Sequence, residues 1–284
     1  MIPASFDYQS PKTLNEALAL LASHEDAKLL AGGHSLLPAM KLRLAQPALL
    51  IDLGRIGGLD YIRDAGDTIT IGAMTTHATV AASQLLHGSS PLLAQAAENI
   101  GDIQVRNRGT IGGSLAQAHP SADYPAAVLA LDAQIAVTSN SGERVIPARE
   151  FFTGMFTTAL RPDEIITEIR VPKTAGAGTV YKKFAHPASG YAVVGVAVVV
   201  RGSSGRIDSV AVGITGVGEI AYRATAVEEA LRGKPASAIA EAARNAAEKV
   251  EALGDNYASA DYRRHLAQVY TRRALQEALS AKRK

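Results

Sequence analysis

The sequence predicts an α+β fold of two or three domains. Its 284 residues are enough for two domains, or for three small ones. A glycine- and alanine-rich connector, KTAGAGT at 173–179, is the best candidate for a domain boundary. Beyond this connector, three consecutive strand patterns precede alanine-rich helical patterns. That order is typical of an α+β domain and not of strictly alternating α/β units.

The first segment begins with a short strand near Phe6. The spacing of Thr13 and Glu16 is that of a capping box, so we expect a helix to start there, with Leu14, Ala17, Leu18 and Leu21 at helical spacing. The further predicted elements are a strand at 27–30, a glycine turn at 31–35, a helix over 36–44 and a strand at 48–53.

The middle segment begins with a predicted hairpin, whose strands at 61–63 and 68–72 flank the turn Ala65-Gly66-Asp67. A second glycine turn occupies 109–114. The other predicted elements are helices at 76–84, 91–100 and 123–131, and strands at 133–138, 144–146 and 164–171. Gly101 and Pro172 end the second helix and the last strand.

The last segment contains three predicted strands, at 180–185, 191–200 and 207–213, with RGSSGR as the turn between the last two. Helices are predicted at 224–232, 235–253 and 259–282. The domains predicted from the whole chain are 1–55, 56–176 and 177–284.

Composition excludes several kinds of chemistry. The 29 basic and 27 acidic residues nearly cancel, so the bulk charge gives no reason to expect nucleic-acid binding. The only local excess is basic and runs from Arg263 to Lys284, where a solvated helix and a docking surface for an acidic partner both remain possible. The chain has no cysteine, so it cannot hold a disulfide, a thiolate nucleophile or an iron–sulfur cluster. Its seven scattered histidines favour no metal site.

Targeting signals are also missing. The longest apolar run, Ala192 to Val200, is too short to cross a bilayer, so we expect no membrane span. The N-terminus lacks the basic start and apolar core of a secretory signal. Together these features predict a cytoplasmic protein.

The two glycine turns have the chemistry of a diphosphate site. A Gly-Gly turn allows backbone N–H groups to approach an anion closely, and a following helix adds a favourable dipole. Each turn, at 31–35 and 110–114, contains Gly-Gly, a serine and a following apolar segment. A single turn of this kind is more often structural, but the pair predicts two walls of one site. The GxGxxA pattern at Gly216 is interpreted as a turn at a strand end, because no βαβ unit surrounds it.

These residues resemble a known family. AGGHSLLP at 31–38 and QVRNRGTIGGSLA at 104–116, followed by Pro120 and Asp123, are similar to the FAD-binding medium subunit of molybdenum hydroxylases of the carbon monoxide dehydrogenase and xanthine dehydrogenase type. GAMTTH at 72–77 extends the resemblance, which covers the whole chain.

The resemblance implies a vanillyl-alcohol-oxidase (PCMH) type FAD-binding domain of two α+β subdomains, 1–55 and 56–176. A C-terminal domain of three antiparallel strands and three helices would follow. FAD would be non-covalent, because no cysteinyl link is possible. The implied cofactor-binding residues are Leu30, Ala31, Gly32, Gly33, His34, Ser35, Leu36, Ile100, Thr110, Ile111, Gly112, Gly113, Ser114, Asp123, Ile166, Lys182 and Tyr191.

Several of these residues have a simpler interpretation. Ile100 and Ile166 fit a plain core, Asp123 fits an N-cap for the following helix, and Tyr191 fits a packed aromatic. Lys182 is adjacent to Lys183, so strand register decides which of the two faces the flavin, and alignment favours Lys182. Two histidines near the turns, His34 and His119, are either surface residues or members of a proton relay.

The function implied is electron transfer. In the family, a molybdenum cofactor on a large subunit oxidises the substrate, and [2Fe–2S] clusters on a small subunit pass electrons singly to FAD. The implied assembly is a dimer of heterotrimers. No residue of this chain is then catalytic, and molybdopterin and the clusters belong to partners. The alternatives are a self-sufficient flavin oxidase or reductase of the same fold, and a scaffold that binds no cofactor.

Overall fold

The N-terminal part forms a small parallel sheet. This computed structural model describes residues 1–203 and 205–281. Its first elements are β1 (Asp7–Gln9), α1 (Leu14–Ser23), β2 (Ala27–Leu30), α2 (Leu36–Lys41), β3 (Leu49–Asp52) and a 3-10 turn (Leu53–Arg55). The strand order is β1-β3-β2, and both pairings are parallel. Ala17 and Leu18 of α1 pack on Ile51 in a separate apolar core.

The middle part is a five-stranded antiparallel sheet covered by helices. Its elements are β4 (Ile62–Ala65), β5 (Thr68–Gly72), α3 (His77–Ala82), α4 (Gln84–Ser89), α5 (Pro91–Glu98), α6 (Ile103–Arg108), α7 (Ile111–Gln117), α8 (Asp123–Ala130), β6 (Gln134–Ser139), β7 (Gly142–Pro147), α9 (Ala148–Phe151), β8 (Phe152–Gly154), β9 (Thr157–Thr158) and β10 (Ile165–Pro172). The sheet order is β4-β5-β10-β6-β7, while β8 and β9 form a small separate hairpin. Every residue of α8 is buried.

The C-terminal part is a four-stranded antiparallel sheet with helices on one face. It contains β11 (Gly178–Ala185), β12 (Ala192–Ser203), β13 (Arg206–Thr215), β14 (Tyr222–Arg223), α10 (Thr225–Leu231), a 3-10 turn (Ala236–Ala238), α11 (Ile239–Ala242), a second 3-10 turn (Ala243–Asn245) and α12 (Ala260–Ala281). The long helix α12 crosses β11 so closely that a Cβ on Gly178 would overlap the carbonyl oxygen of Ala278.

The other face of this sheet packs on α8. A Cβ on Gly213 of β13 would overlap the carbonyl oxygen of Ala126 in α8. Ala197 and Val199 of β12 belong to the same apolar core as Tyr124 of α8 and Ile71 of β5. The second and third parts of the chain therefore share one core.

The α+β prediction is confirmed, and the predicted hairpin around Gly66 is present, with Ala65 paired with Thr68. The predicted helix over 36–44 ends at Lys41, because Arg43 takes a left-handed conformation with φ of 58°. The predicted helix over 76–84 is two helices, since Ser83 ends α3 and its hydroxyl caps α4 by accepting from the Leu86 amide at 3.3 Å. The C-terminal sheet has a fourth strand, β14, beyond the three expected.

The predicted helix over 235–253 is wrong. Two 3-10 turns flank the four-residue helix α11, and hydrogen bonds of the 3-10 kind continue to Val250. The predicted second glycine turn at 109–114 is helical from Ile111, where α7 begins. No pattern in the sequence indicated α6, α9, β8 or β9. Lys282, Arg283 and Lys284 of the predicted basic tail lie outside the described residues. Among the residues that are described, no helix is both long and apolar enough to cross a membrane.

Candidate functional site

The first glycine turn connects β2 to α2 and leaves its backbone amides free. Gly33 has φ of 77°, a conformation that favours glycine. Within residues 1–203 and 205–281, the five consecutive amides from Gly32 to Leu36 donate to no protein acceptor. Such a row of unpaired N–H groups is suited to an anion, because buried or half-buried donors need an acceptor.

The second glycine turn is built differently. Thr110 caps α7, with its hydroxyl accepting from the Gly113 amide at 3.1 Å. The amides of Ile111 and Gly112 donate to the carbonyl oxygens of Thr75 and Ala73. A Cβ on Gly112 would lie 2.6 Å from that of Ala73. Its glycines therefore serve close packing, and the amides at 111 and 112 are already used by the protein.

The structure brings the two glycine turns into contact with each other. A Cβ on Gly32 would overlap the carbonyl oxygen of Arg108, just before the second turn. A Cβ on Gly113 would lie 3.5 Å from that of Ala31. The flanking segments 27–51 and 103–122 contain five Lys or Arg and no acidic residue. A dianion between the turns would meet free donors on one side and a positive surrounding.

Asp123 lies at the centre of a buried polar cluster. It accepts from the Tyr181 hydroxyl at 2.5 Å and from Lys183 Nζ at 2.9 Å. Lys183 also donates to the carbonyl oxygen of Asn99 at 2.7 Å. Burial raises the pKa of Asp123 to about 6, and the lysine and tyrosine oppose that rise. The N-cap interpretation of Asp123 is wrong, because Ala122 is the N-cap of α8 and Asp123 is its first helical residue.

The two adjacent lysines point to opposite faces of β11, as strand geometry requires. Lys183 joins the Asp123 cluster. Lys182 instead pairs with Glu277 of α12 at 2.6 Å. The structure therefore does not bring Lys182 together with the other predicted site residues, and Lys183 is the lysine that contacts Asp123.

Three aromatic rings line the region next to Ser35. Tyr191 stacks on His119, with ring centroids 4.3 Å apart and planes 14° apart, and Phe156 meets His119 edge-on. Tyr191 is 39% exposed. Burial of its hydroxyl raises the pKa of Tyr191, and a hydrogen bond with Ser35 opposes that rise. Tyr191 therefore links the C-terminal part of the chain to the first glycine turn.

The remaining predicted residues differ in how closely they relate to the turns. Leu30 and Leu36 flank the first turn and are half-buried, and His34 is exposed. Ile111 is fully buried and Ser114 half-buried in the first turn of α7. Ile166 is buried in the main core, and Ile100 packs at its edge. The positions of these two isoleucines fit a plain core, and a cofactor contact for either one stays a prediction.

Sequence reasoning missed two buried polar residues, Tyr181 and His77, and it had kept Lys183 only as the alternative to Lys182. His77 is 5% exposed, its Nδ1 has no partner, and its ring lies edge-on to that of Tyr124. Burial lowers the pKa of His77 to about 4, and His34 and Arg106 lower it further. Its place at the end of GAMTTH, next to the resemblance motif, was the only signal in the sequence.

The first glycine turn fits the diphosphate of a dinucleotide cofactor, because its free amides lie in a segment that carries no acidic residue. The described residues offer no cluster of ligands for a metal ion. A ligand with a diphosphate group is thus the kind of ligand to which the geometry is suited.

Comparison with known proteins agrees with this chemistry. Residues 4–174 match the FAD binding domain in molybdopterin dehydrogenase, and residues 179–278 match the CO dehydrogenase flavoprotein C-terminal domain. The chain is 43% identical to the carbon monoxide dehydrogenase medium chain of Hydrogenophaga pseudoflava, with 98% of each chain covered. It is 40% identical to the nicotine 6-hydroxylase medium subunit of Paenarthrobacter nicotinovorans, with 95% of this chain and 96% of the relative covered.

Solved structures show the same likeness. A carbon monoxide dehydrogenase structure from Hydrogenophaga pseudoflava superposes with a TM-score of 0.96 at 44% identity, with 99% of each chain covered. A quinoline 2-oxidoreductase chain from Pseudomonas putida 86 superposes with a TM-score of 0.95 at 31% identity, again with 99% of each covered. The glycine turns, the fold and the whole length of the chain agree with those of these proteins. The chain therefore belongs to the family of FAD-binding medium subunits of molybdenum hydroxylases.

Proposed function

We propose that this chain is the FAD-carrying electron-transfer subunit of a molybdenum-containing hydroxylase or dehydrogenase. It would receive electrons from [2Fe–2S] clusters on a small partner subunit and deliver them to an external acceptor. A large partner subunit would hold molybdopterin and oxidise the organic substrate. The observation that carries this proposal is the row of free amides from Gly32 to Leu36, set against a second glycine turn.

FAD supplies the redox chemistry when bound, because its ring accepts electrons singly and releases them singly or in pairs. The work of this chain is to bind, orient and shield. The amides of Gly32, Gly33, His34, Ser35 and Leu36 would hold the diphosphate, with Leu30 and Ala31 below them. Thr110 to Ser114 would form the opposite wall, where glycine lets the two backbones approach.

The Asp123 cluster would fix the cofactor from the side of the C-terminal sheet. Asp123 has one strong donor on each carboxylate oxygen, Tyr181 on Oδ1 and Lys183 on Oδ2. These two bonds hold the carboxylate in one orientation. They also fix the direction of the lone pairs that can still accept a hydrogen bond. This arrangement supports a positioning role for Lys183 rather than for Lys182.

Tyr191 would control access to the ring system. Its side chain is partly exposed and rests on His119, so it can leave that stack without breaking a buried contact. An acceptor that reaches the flavin would pass this tyrosine.

The two alternatives have less support. A self-sufficient oxidase needs its own substrate site. The polar side chains of the Asp123 cluster bond to one another and are assigned here to the cofactor, so they do not supply such a site. A cofactor-free scaffold would have no reason to keep five unpaired amides in a row. The partner subunits, a dimer of heterotrimers and a cytoplasmic location remain part of the proposal.

Reconstitution tests the proposed function. The chain is expressed alone and together with its candidate small and large partner subunits, and iron, molybdenum and flavin are measured in each purified product. We expect FAD in the complex and turnover of purines, aldehydes or carbon monoxide only when all three subunits are present. Turnover of any of these substrates by the FAD-loaded single chain, at the rate of the complex, would favour the self-sufficient oxidase.

A further inference from the structure

The chain that follows α5 is held by two positively charged side chains. We call residues 99–101 the α5–α6 segment. The carbonyl oxygen of Asn99 accepts from Lys183 Nζ at 2.7 Å, and those of the next two residues accept from Arg106 Nη1 at 2.9 and 3.4 Å. Carbonyl oxygens at the C-terminal end of a helix carry partial negative charge, so cations stabilise that end. The segment is therefore fixed from β11 on one side and from α6 on the other.

The α5–α6 segment in turn supports the loop between β11 and β12. Gly101 has φ of 47°, in the region that favours glycine. A Cβ on Gly190 would lie 3.6 Å from the Cα of Gly101, so the two backbones are in contact. The loop closes where the His186 amide donates to the carbonyl oxygen of Tyr191 at 2.8 Å. Tyr191 therefore follows a loop that rests on the segment held by Arg106.

The charge of Lys183 is neutralised, whereas that of Arg106 is not. Lys183 pairs with the buried carboxylate of Asp123 at 2.9 Å. Among the residues that the structure describes, no carboxylate lies within ion-pair distance of Arg106. Asp102, the acidic residue closest to it in the sequence, is exposed and caps α6 by accepting from the Val105 amide at 2.8 Å. The half-buried guanidinium of Arg106 therefore carries an unpaired positive charge.

This charge acts where the two glycine turns meet. Burial lowers the pKa of His77 to about 4, and the charges of His34 and Arg106 lower it further. The ring of His77 lies against Gly109, where a Cβ would be 2.5 Å from Nε2 of the ring. On the other side, a Cβ on Gly32 would lie 2.6 Å from the Cα of Gly109. Arg106 is thus close enough to change the electrostatic potential at the contact between the turns.

We propose that Arg106 is a positioning residue that holds the α5–α6 segment beside the flavin ring, and that its unpaired charge raises the midpoint potential of the flavin. This inference rests on the proposed function, which places the ring system next to Tyr191. Reduction adds electrons to the flavin, so a positive charge nearby favours the reduced form. In half-buried surroundings such a charge is less screened than in water. Lys183 does not supply this effect, because Asp123 cancels its charge.

The midpoint potential of FAD in the purified complex tests the role of the charge. Arg106→Gln removes the charge and keeps a hydrogen-bond donor, whereas Arg106→Lys keeps the charge. In the glutamine variant we expect an equilibrium constant for two-electron reduction about tenfold smaller, which is a potential about 30 mV lower. The lysine variant should retain the wild-type potential. A wild-type potential in Arg106→Gln, or an equal decrease in Arg106→Lys, overturns the proposal.

Arg201→Gln is the control for a charge far from the site. Arg201 is exposed near the opposite end of β12, about 30 Å from Tyr191 along the strand. It too has no ion-pair partner in the part of the chain that the structure describes. This variant should keep the wild-type potential. A decrease as large as that in Arg106→Gln would mean that the potential follows the net charge of the chain, and the proposal would then be wrong.

Hydrogen exchange measures the positioning and does not need bound flavin. The amides of Ile100 and Gly190 donate to the carbonyl oxygens of Ala97 and His186. In Arg106→Gln both amides should exchange at least fivefold faster than in the wild type, with FAD bound or removed, and in Arg106→Lys they should exchange as in the wild type. Unchanged exchange in Arg106→Gln overturns the proposal even where that variant has lost its flavin. A wild-type complex that purifies without FAD would instead contradict the proposed function itself.

Discussion

Lys182 and Lys183 are neighbours in β11 with opposite surroundings, so they form a matched pair for mutation. The side chain of Lys183 is 3% exposed and faces an equally buried Asp123, whereas Lys182 bonds to the exposed Glu277. Lys183→Met should lower the free energy of unfolding by about 3–5 kcal/mol, because it leaves a buried charge without its partner. Lys182→Met should change it by less than about 1 kcal/mol.

Urea unfolding measures both variants, and FAD per chain in the purified complex provides the second readout. We expect FAD to be lost in Lys183→Met and kept in Lys182→Met. Equal effects of the two substitutions would contradict the assignment of Lys183 to the cluster, and the reverse order would restore Lys182 as the lysine of the site.

His77 makes stability depend on pH. Its pKa in the folded chain is lowered to about 4 from an ordinary value of 6.5, so between these values the unfolded chain binds the extra proton. Stability should therefore fall as pH drops from 6.5 to 4, by about 3 kcal/mol. Asp123 has the opposite effect on stability. Its pKa is raised in the folded chain, so the folded chain binds this proton before the unfolded chain does, and stability rises as pH drops from about 6 to 4.

The two contributions are separated by His77→Leu, which removes only the histidine. The free energy of unfolding is measured in urea from pH 4 to 7 for both proteins. The variant should lose less stability on acidification than the wild type does. Parallel pH profiles would show that the buried imidazole does not control this window.

At the scale of elements, the first glycine turn offers a test with an internal control. Gly33 and Gly66 have nearly the same backbone conformation, with φ of 77° and 80°, and Gly66 lies in the distant β4–β5 turn. An alanine at either position should cost about 1–2 kcal/mol of stability through the left-handed backbone. Only Gly33→Ala should weaken FAD binding, by about tenfold or more, because it redirects the free amides.

The dissociation constant for FAD, measured by flavin fluorescence on the complex, distinguishes the two variants. Gly112 does not offer this test, since a side chain there would collide with Ala73 and disturb the fold. If Gly33→Ala binds FAD as tightly as Gly66→Ala does, the first turn is not the diphosphate cradle.

Short sequence patterns predicted the elements whose ends depend on neighbouring residues. The Thr13 and Glu16 spacing marked the start of α1, and turn chemistry marked the hairpin at Gly66. α6 was missed because its sequence, IQVRNR, buries no residue and so carries no apolar period. The helix over 235–253 was predicted wrongly because alanine favours helix, and over four or five residues a 3-10 turn and an α-helix place the same side chains inward.

The site was predictable to the extent that it is local. The glycine turns could be recognised because each contains two glycines that are adjacent in the sequence. The choice between Lys182 and Lys183 could not be made, because it depends on which face of β11 meets α8. The partners of Asp123 lie 58 and 60 positions away in the chain, at Tyr181 and Lys183. Contacts of that separation are set by packing and leave no pattern in one sequence.

At the scale of the whole molecule, the contact between α8 and β13 joins the middle and C-terminal parts. Gly213→Ala would place a methyl group on the carbonyl oxygen of Ala126, and backbone cannot yield as a flexible side chain does. We expect a loss of about 2 kcal/mol or more, together with lower FAD occupancy, because Asp123 and Lys183 lie on opposite sides of this contact.

Gly57→Ala is the control, since a Cβ at Gly57 meets nothing within 4 Å. It should change the free energy of unfolding by no more than about 0.5 kcal/mol. Thermal unfolding and absorbance of the bound flavin measure both effects. A Gly213→Ala chain with wild-type stability and full flavin would mean that the two parts do not depend on this contact.

The separate apolar core of the N-terminal sheet has a consequence for how the molecule opens. That core contains Leu18 and Ile51, whereas the larger core joins β5, α8 and β12. Local opening takes place along such boundaries, at lower free energy than global unfolding. The first glycine turn belongs to the N-terminal sheet, and the second belongs to the part of the chain that contains the larger core. A dinucleotide bound between the two turns would therefore hold these two parts together. We therefore expect cofactor exchange to proceed by local opening at this boundary, where Ile165 of β10 packs into the N-terminal core.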